Sequence, residues 1–242
     1  MPQSTIKYRV YAYWADFLGC DYSELITPTV SVVQHSESLS GYNGIYCFNN
    51  GTSCLISAPA KYVAELHKAV SGHGPDQAFD AEWLVHSIGD QYERIIGPAF
   101  QGYVDSDSFL QASSESVVEL KTEQHKMLLK ELREACTEME WQHSSIDEEK
   151  GPIFLRILNE KAVAAGSWRK GESGFLSVGI ISHPTHRGKG HAKAVVNDLT
   201  KRGLSSGTMM HYQTLESNTS SVAIAQSLGY VRLGRTLAIR LS

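Results

Sequence analysis

The stretch from Val178 to Ala192, VGIISHPTHRGKGHA, constrains the fold of this chain more than any other. Apolar and β-branched residues run into Pro184, which cannot donate to a sheet ladder, so a strand from Phe175 to Ser182 has to close there. Basic residues and two glycines follow. Ala192, Val195, Val196 and Leu199 then recur at helical spacing, which predicts a helix from about Gly188 to Arg202. The first turn of a helix leaves about four backbone N–H groups without partners, and the helix dipole adds roughly half a positive charge at that end. Gly188 and Gly190 carry no Cβ to hold a ligand away, and Arg187 and Lys189 add charge. Such a turn suits a phosphate or pyrophosphate.

Elements on either side extend the pattern. Val117–Leu120 reads as a strand, and Thr122 as the cap of a helix with Leu128, Leu129, Leu132 and Ala135 on one face. Phe154–Leu158 and Ala162–Trp168 read as strands joined at Asn159-Glu160-Lys161, with a further turn over Lys170–Gly174. Thr208–Leu215 is strand-like, Thr219–Leu228 a short helix behind Asn218 and ended by Gly229, and Tyr230–Leu241 one or two last strands. The resulting order, β-α-β-β-β-α-β-α-β, is an α/β (α+β) arrangement with a mixed, partly antiparallel sheet flanked by helices. Ahead of it, Asp105–Ser108 and Gln111–Ser116 lose periodicity and read as a connection. Residues 1–112 are therefore expected to form an additional N-terminal α/β domain, and 117–242 a second one. In the first, Ile45–Phe48 and Thr52–Ser57 flank an Asn49-Asn50-Gly51 turn, a hairpin signal. Helical spacing follows Pro59, a second helix is expected over Asp80–Ile88, and Tyr92–Tyr103 reads as a lid or an interdomain strand.

The chain has 242 residues, 22 Lys plus Arg against 26 Asp plus Glu, and a net charge of −4. That balance argues against nucleic acid or an anionic membrane as the main partner. No run of about 18 apolar residues is present, and the N-terminus lacks the pattern of a signal peptide, so a cytoplasmic protein is expected. Cys20, Cys47, Cys54 and Cys136 form no CxxC pair and read as thiols rather than disulfides. Ten histidines include His183 and His186 in an HxxH, but these straddle a proline turn, and with no HExxH or cysteine cluster no metal is expected.

The phosphate ligand is narrowed by spacing. A Walker A loop needs GxxxxGK followed by Ser or Thr, and a dinucleotide fingerprint needs a glycine or alanine where Lys193 stands. What remains is R-x-x-G-x-A at Arg187, Gly190 and Ala192. Here the sequence resembles the GNAT (GCN5-related N-acetyltransferase) superfamily over residues from about 117 to 242. A second feature lies in order behind it: Asn218, Ser221 and the helix-ending Leu228-Gly229-Tyr230 are similar to the family's N-x-x-S/A…LGF/Y signature. The N-terminal part lacks such a turn and reads as a possible degenerate copy of the same fold.

The resemblance implies direct transfer of an acetyl group from acetyl-CoA, as co-substrate, to a primary amine; a small-molecule amine is the expected acceptor, a protein amine the lesser alternative, and a monomer or homodimer is expected. It implies that the turn amides of Gly188, Lys189, Gly190, His191 and Ala192, with Arg187, hold the pyrophosphate. Backbone groups of Ile180 and Ile181 would pair with the pantetheine arm, and Asn218 and Ser221 would contact its far end. Where many members carry a tyrosine acid, seven residues after the asparagine, this chain has Ala225, and Tyr212 is a substitute. For the general base, Glu216, His143 and Glu140 are candidates, the last two expected in a loop after the first helix. A non-catalytic CoA-binding module of the same fold is the alternative reading.

Overall fold

A computed structural model describes residues 2–89, 92–113, 116–171 and 173–242; Ser114 and Glu115 of the serine-rich connection and Glu172 of the 170–174 turn lie outside the described residues. In chain order the elements are α1 (Pro2–Leu18), α2 (Tyr22–Ile26), β1 (Thr29–Gln34), β2 (Gly44–Asn49), β3 (Ser53–Ala58), α3 (Ala60–Ala69), α4 (Pro75–Ala78), α5 (Ala81–Ile88) and β4 (Tyr92–Val104). They continue with β5 (Val118–Glu119), α6 (Glu123–Ala135), α7 (Glu138–Ser144), β6 (Ile153–Leu158), β7 (Lys161–Lys170) and β8 (Leu176–Ser182). The last are α8 (His191–Ser205), β9 (Met210–Leu215), α9 (Thr219–Ser227) and β10 (Val231–Leu241). This is the expected mixed α/β class, with a mostly antiparallel sheet flanked by helices. The chain divides into two compact units: Met1–Gln101 with Thr214–Asn218 and Arg232–Ser242, and Gly102–Gln213 with Thr219–Val231.

In the first unit the strands run in the order β1-β3-β2-β10-β4. The expected hairpin is there: β2 and β3 are antiparallel, and the Asn50 side chain closes the turn by accepting from the N–H groups of Thr52 and Ser53, both at 2.9 Å. β1 joins β3 in parallel, and β10 joins β2 antiparallel. Tyr62 and Leu66 of α3 and Leu84 and Ile88 of α5 pack with Ile45, Ile56, Leu237 and Ile239. Asp80 caps α5 through the Trp83 N–H, and Gly89 ends it in the left-handed region, both as the sequence suggests. Helix α1 was not expected. Its buried residues Ile6, Val10, Trp14 and Leu18 do follow an i, i+4 stripe, but tyrosines between them blur the period, and Trp14 stacks on Phe48 at 4.5 Å.

The second unit carries the sheet β9-β8-β7-β6-β5. β5, β6, β7 and β8 pair antiparallel in turn, and β8 and β9 are parallel. Alternation along the strands sends Ile153, Leu155 and Ile181 to Leu128, Leu129 and Leu132 of α6, and Phe154 and Ala164 to Val195 and Leu199 of α8. Two expectations change. Helix α8 starts at His191, because positive φ at Gly188 and Gly190 holds the turn out of the helix. Residues Glu140–His143 lie on α7 rather than in a loop: Thr137 accepts from the Glu140 N–H, and the Glu140 carboxylate accepts from the Thr137 N–H at 2.9 Å, a capping box. Among the described residues no helix is long and apolar enough to cross a membrane.

Candidate functional site

The site is built at the end of β8. β7 pairs with β8 along its whole length, as far as Ala164 with Ser182. On the other edge β9 pairs only at Leu176–Met210 and Ser177–His211. Beyond those two pairs the parallel strands part, and the backbone of Ile180 and Ile181 faces a gap on that side while Gly166 and Ala165 hold them on the other. Past the gap, a single 3₁₀ turn at Pro184–His186 leads to Gly188, with φ +73°, and Gly190, with φ +84°. A Cβ at either glycine would meet nothing within 4 Å, so the protein leaves the space over the turn open. Gly190 is the N-cap of α8 and supplies no side-chain cap, so the first N–H groups of a 15-residue helix point out of the turn with no side-chain partner from the cap residue. Positive φ, open space and uncapped donors together make a cradle for an anion.

The family follows from the chain that builds this turn: residues 115–230 match the acetyltransferase (GNAT) family. That half of the chain is a GNAT domain. Similarity among solved structures agrees at the level of the fold. An acetyltransferase of the GNAT family from Colwellia psychrerythraea is 18% identical over 65% of this chain and 60% of its own, with a TM-score of 0.50. A putative GNAT acetyltransferase from Novosphingobium aromaticivorans is 19% identical over 63% of this chain and 67% of its own, with a TM-score of 0.47. An aminoglycoside N-acetyltransferase in complex with CoA is 20% identical over 49% of this chain and 92% of its own, with a TM-score of 0.38. This chain thus spans 60% of the length of the first of these. No curated protein matches the sequence.

Within the GNAT domain the motif arginine is engaged. Arg187 Nη2 donates to Glu140 Oε1 at 2.7 Å, and its Nε to the Ser182 carbonyl at 3.4 Å. The Thr137 N–H and then the Arg187 guanidinium hold the Glu140 carboxyl below its ordinary range. As a base candidate, Glu140 is therefore tied at both oxygens, to Thr137 and to Arg187. His143, three residues on, is exposed in the last turn of α7. Around the turn, His186 lies 5.4 Å from His183 and 6.0 Å from His191, ring to ring. Desolvation, with Lys189 and the other two imidazoles beside it, pushes His186 below the usual histidine range. Among the described residues no group of three or more His, Cys, Asp or Glu is placed to hold a metal ion.

On β9, Tyr212 is buried, and its hydroxyl lies 2.9 Å from Ser221 Oγ in the first turn of α9. Ala225, one turn further along α9, is fully buried. Asn218 stands directly ahead of α9, its N–H donating to the Leu215 carbonyl at 3.0 Å. Glu216 belongs to the first unit, where Arg235 Nε lies 3.0 Å from its Oε1 and donates to Oε2 at 3.2 Å, and Arg232 Nη1 lies 3.6 Å from Oε1. Sequence reasoning missed both guanidinium partners of Glu216, since Arg232 and Arg235 sit on β10 and are remote in the chain. It also missed the Arg187–Glu140 pair, although Thr137 with Glu140 three residues later is a readable capping signature.

Proposed function

We propose that this protein is an acetyl-CoA-dependent N-acetyltransferase whose acceptor is a primary amine on a small molecule. The observation that carries the reading is the pair of open, positive-φ glycines at the end of β8, beside strands that part after two residue pairs. The residues fit the co-substrate: a Cβ at Gly188 or Gly190 would fill the cradle that a pyrophosphate needs, and the amides of Gly188–Ala192 are the donors for it. Ile180 and Ile181 offer unpaired backbone on their β9 side for an extended pantetheine arm to join as an added strand. Acetyl-CoA supplies an activated thioester. The chain's own residues bind and orient it, exclude water from the gap, and relieve the attacking ammonium of its proton. For that proton Glu216, His143 and Glu140 are the candidate acceptors, directly or through water. Of these only His143 has no ion pair or hydrogen bond tying its side chain in the site described above. Arg187, bonded to Glu140, links the phosphate turn to α7.

Calorimetry with acetyl-CoA and with CoA tests the placement. The double variant Arg187→Ala, Gly190→Glu puts bulk and negative charge in the cradle, and binding is expected to weaken at least about a hundredfold, the scale of a lost charge-assisted hydrogen bond plus repulsion. Unchanged affinity in a folded double variant would refute it. Thiol release over a library of polyamines, aminoglycosides and amino acids then tests turnover. The buried Ala225, where many family members carry a tyrosine acid, favours a second reading, a CoA-binding module without turnover. Silence across the library with intact CoA binding would select that reading.

A further inference from the structure

We infer that Glu140 holds Arg187 aside from the glycine turn, so that a pyrophosphate has to take the guanidinium from this carboxylate, and that Glu140 thereby sets how tightly the turn binds CoA. This rests on the placement of the pyrophosphate at Gly188–Ala192. The guanidinium is turned toward α7 and the end of β8: Nη2 donates to Glu140 Oε1 at 2.7 Å, and Nε to the Ser182 carbonyl at 3.4 Å. No atom of Arg187 comes within 4 Å of where a Cβ on Gly190 would stand, so the charge lies beside the cradle and not over that glycine. Lys189, the other strong cation of the turn, is engaged differently, its Nζ donating to the neutral Thr185 carbonyl at 3.1 Å. Of the two, only Arg187 is paired with a full negative charge.

The carboxylate is the fixed member of the pair. Glu140 Oε2 accepts from the Thr137 N–H at 2.9 Å and from the Thr137 hydroxyl at 3.0 Å, and the Glu140 N–H donates back to Thr137 Oγ1 at 3.2 Å. These bonds tie Glu140 to the start of α7. The contact to Arg187 is weaker than its length suggests, because the two side chains are 48% and 36% exposed and a surface ion pair is worth little. A pyrophosphate carries more charge than one carboxylate, and its paired oxygens match the guanidinium fork, whereas Glu140 offers it a single oxygen. The arginine therefore swings to the ligand and the glutamate stays. After the exchange Oε2 is still held by Thr137, and Oε1 is released to water. Glu140 is a positioning residue in this account, because it acts on the ligand through Arg187.

Calorimetry of CoA and of dephospho-CoA with the full chain tests the exchange. Glu140→Gln removes the charge and keeps a side chain that a capping box accepts at this position. CoA is expected to bind this variant about fivefold more tightly, the scale of a surface ion pair that no longer has to be broken. Dephospho-CoA, which has the pyrophosphate and lacks the 3′-phosphate, should gain by the same factor. Glu138→Gln removes an equal charge on the same helix, where the carboxylate accepts from Gln142, and should change affinity by less than about twofold. In Arg187→Ala, which binds CoA more weakly, adding Glu140→Gln should bring no gain, because no arginine is left to release. Thermal unfolding of each variant, measured in parallel, shows that it keeps the fold. Unchanged or weaker CoA binding by Glu140→Gln overturns the inference and leaves the proposed function standing. An equal gain from Glu138→Gln, or in the Arg187→Ala background, or with CoA and not dephospho-CoA, overturns it in the same way. No CoA binding by either the native chain or Glu140→Gln overturns both.

Discussion

His211 lies face to face with Tyr103, ring centroids 4.6 Å apart, and its Nδ1 is 3.2 Å from Ser177 Oγ, at the last pair before β8 and β9 part. Desolvation pushes its imidazole down to about 4 from an ordinary 6.5. The unfolded chain therefore binds a proton here that the folded chain refuses. The sign is fixed by that difference: the contribution to stability is complete above pH 6.5 and is lost as pH falls through the window toward 4. The slope in that window is at most about 1.4 kcal/mol per pH unit. Urea midpoints at several pH values between 7.5 and 4 should fall along it, and His211→Asn should flatten the profile; an unchanged profile would mean the imidazole titrates normally. At this scale the glycines were legible in the sequence, because a positive φ over open space is a demand that only glycine meets cheaply. The partners of Arg187 and Glu216 were not, because an ion pair between residues 16 to 47 positions apart leaves no local pattern.

Helix α7 shows what an element needs in order to be read. It has seven residues, too few for a period, and only Ser144 is buried, so no apolar stripe announces it. Its mark is the capping box at Thr137 and Glu140, and Glu140 also receives Arg187 from the glycine turn ahead of α8. Thr137→Ala is expected to cost about 1 kcal/mol of stability in thermal or urea unfolding, the usual worth of an N-cap. Hydrogen exchange confined to residues 138–144 should speed up in the same variant; protection equal to the native chain would show that the cap is dispensable. The longer elements were legible for the opposite reason. Helix α6, with Thr122 accepting from the His125 N–H and three leucines buried on one face, follows its period closely, and the β2–β3 hairpin follows its Asn-Asn-Gly turn. Helix α1 had the stripe but not the contrast, since tyrosines fall on both of its faces.

At the scale of the molecule, the most consequential element is the last one. β10 pairs with β2 residue by residue from Arg235–Asn49 to Arg240–Gly44, and the Leu241 N–H donates to the Asn43 carbonyl at 2.9 Å. In the first unit it lies between β2 and β4, with Leu237, Ile239 and Leu241 in that unit's core. A chain ending at Tyr230 would lose an inner strand of the first unit, whereas the strands β5–β9 of the second would keep their partners. Limited proteolysis of that truncation is expected to digest residues 2–101 quickly and leave a fragment over 102–230; resistance of the N-terminal part would contradict it. No local signal announces such a pairing, because both partners look like ordinary strands. For synthesis the order of events is then inverted relative to the order of the chain. Residues 2–101 have to wait, with an open strand edge on β2, until β10 leaves the ribosome, and during that wait they depend on chaperones or on the solubility of their own surface.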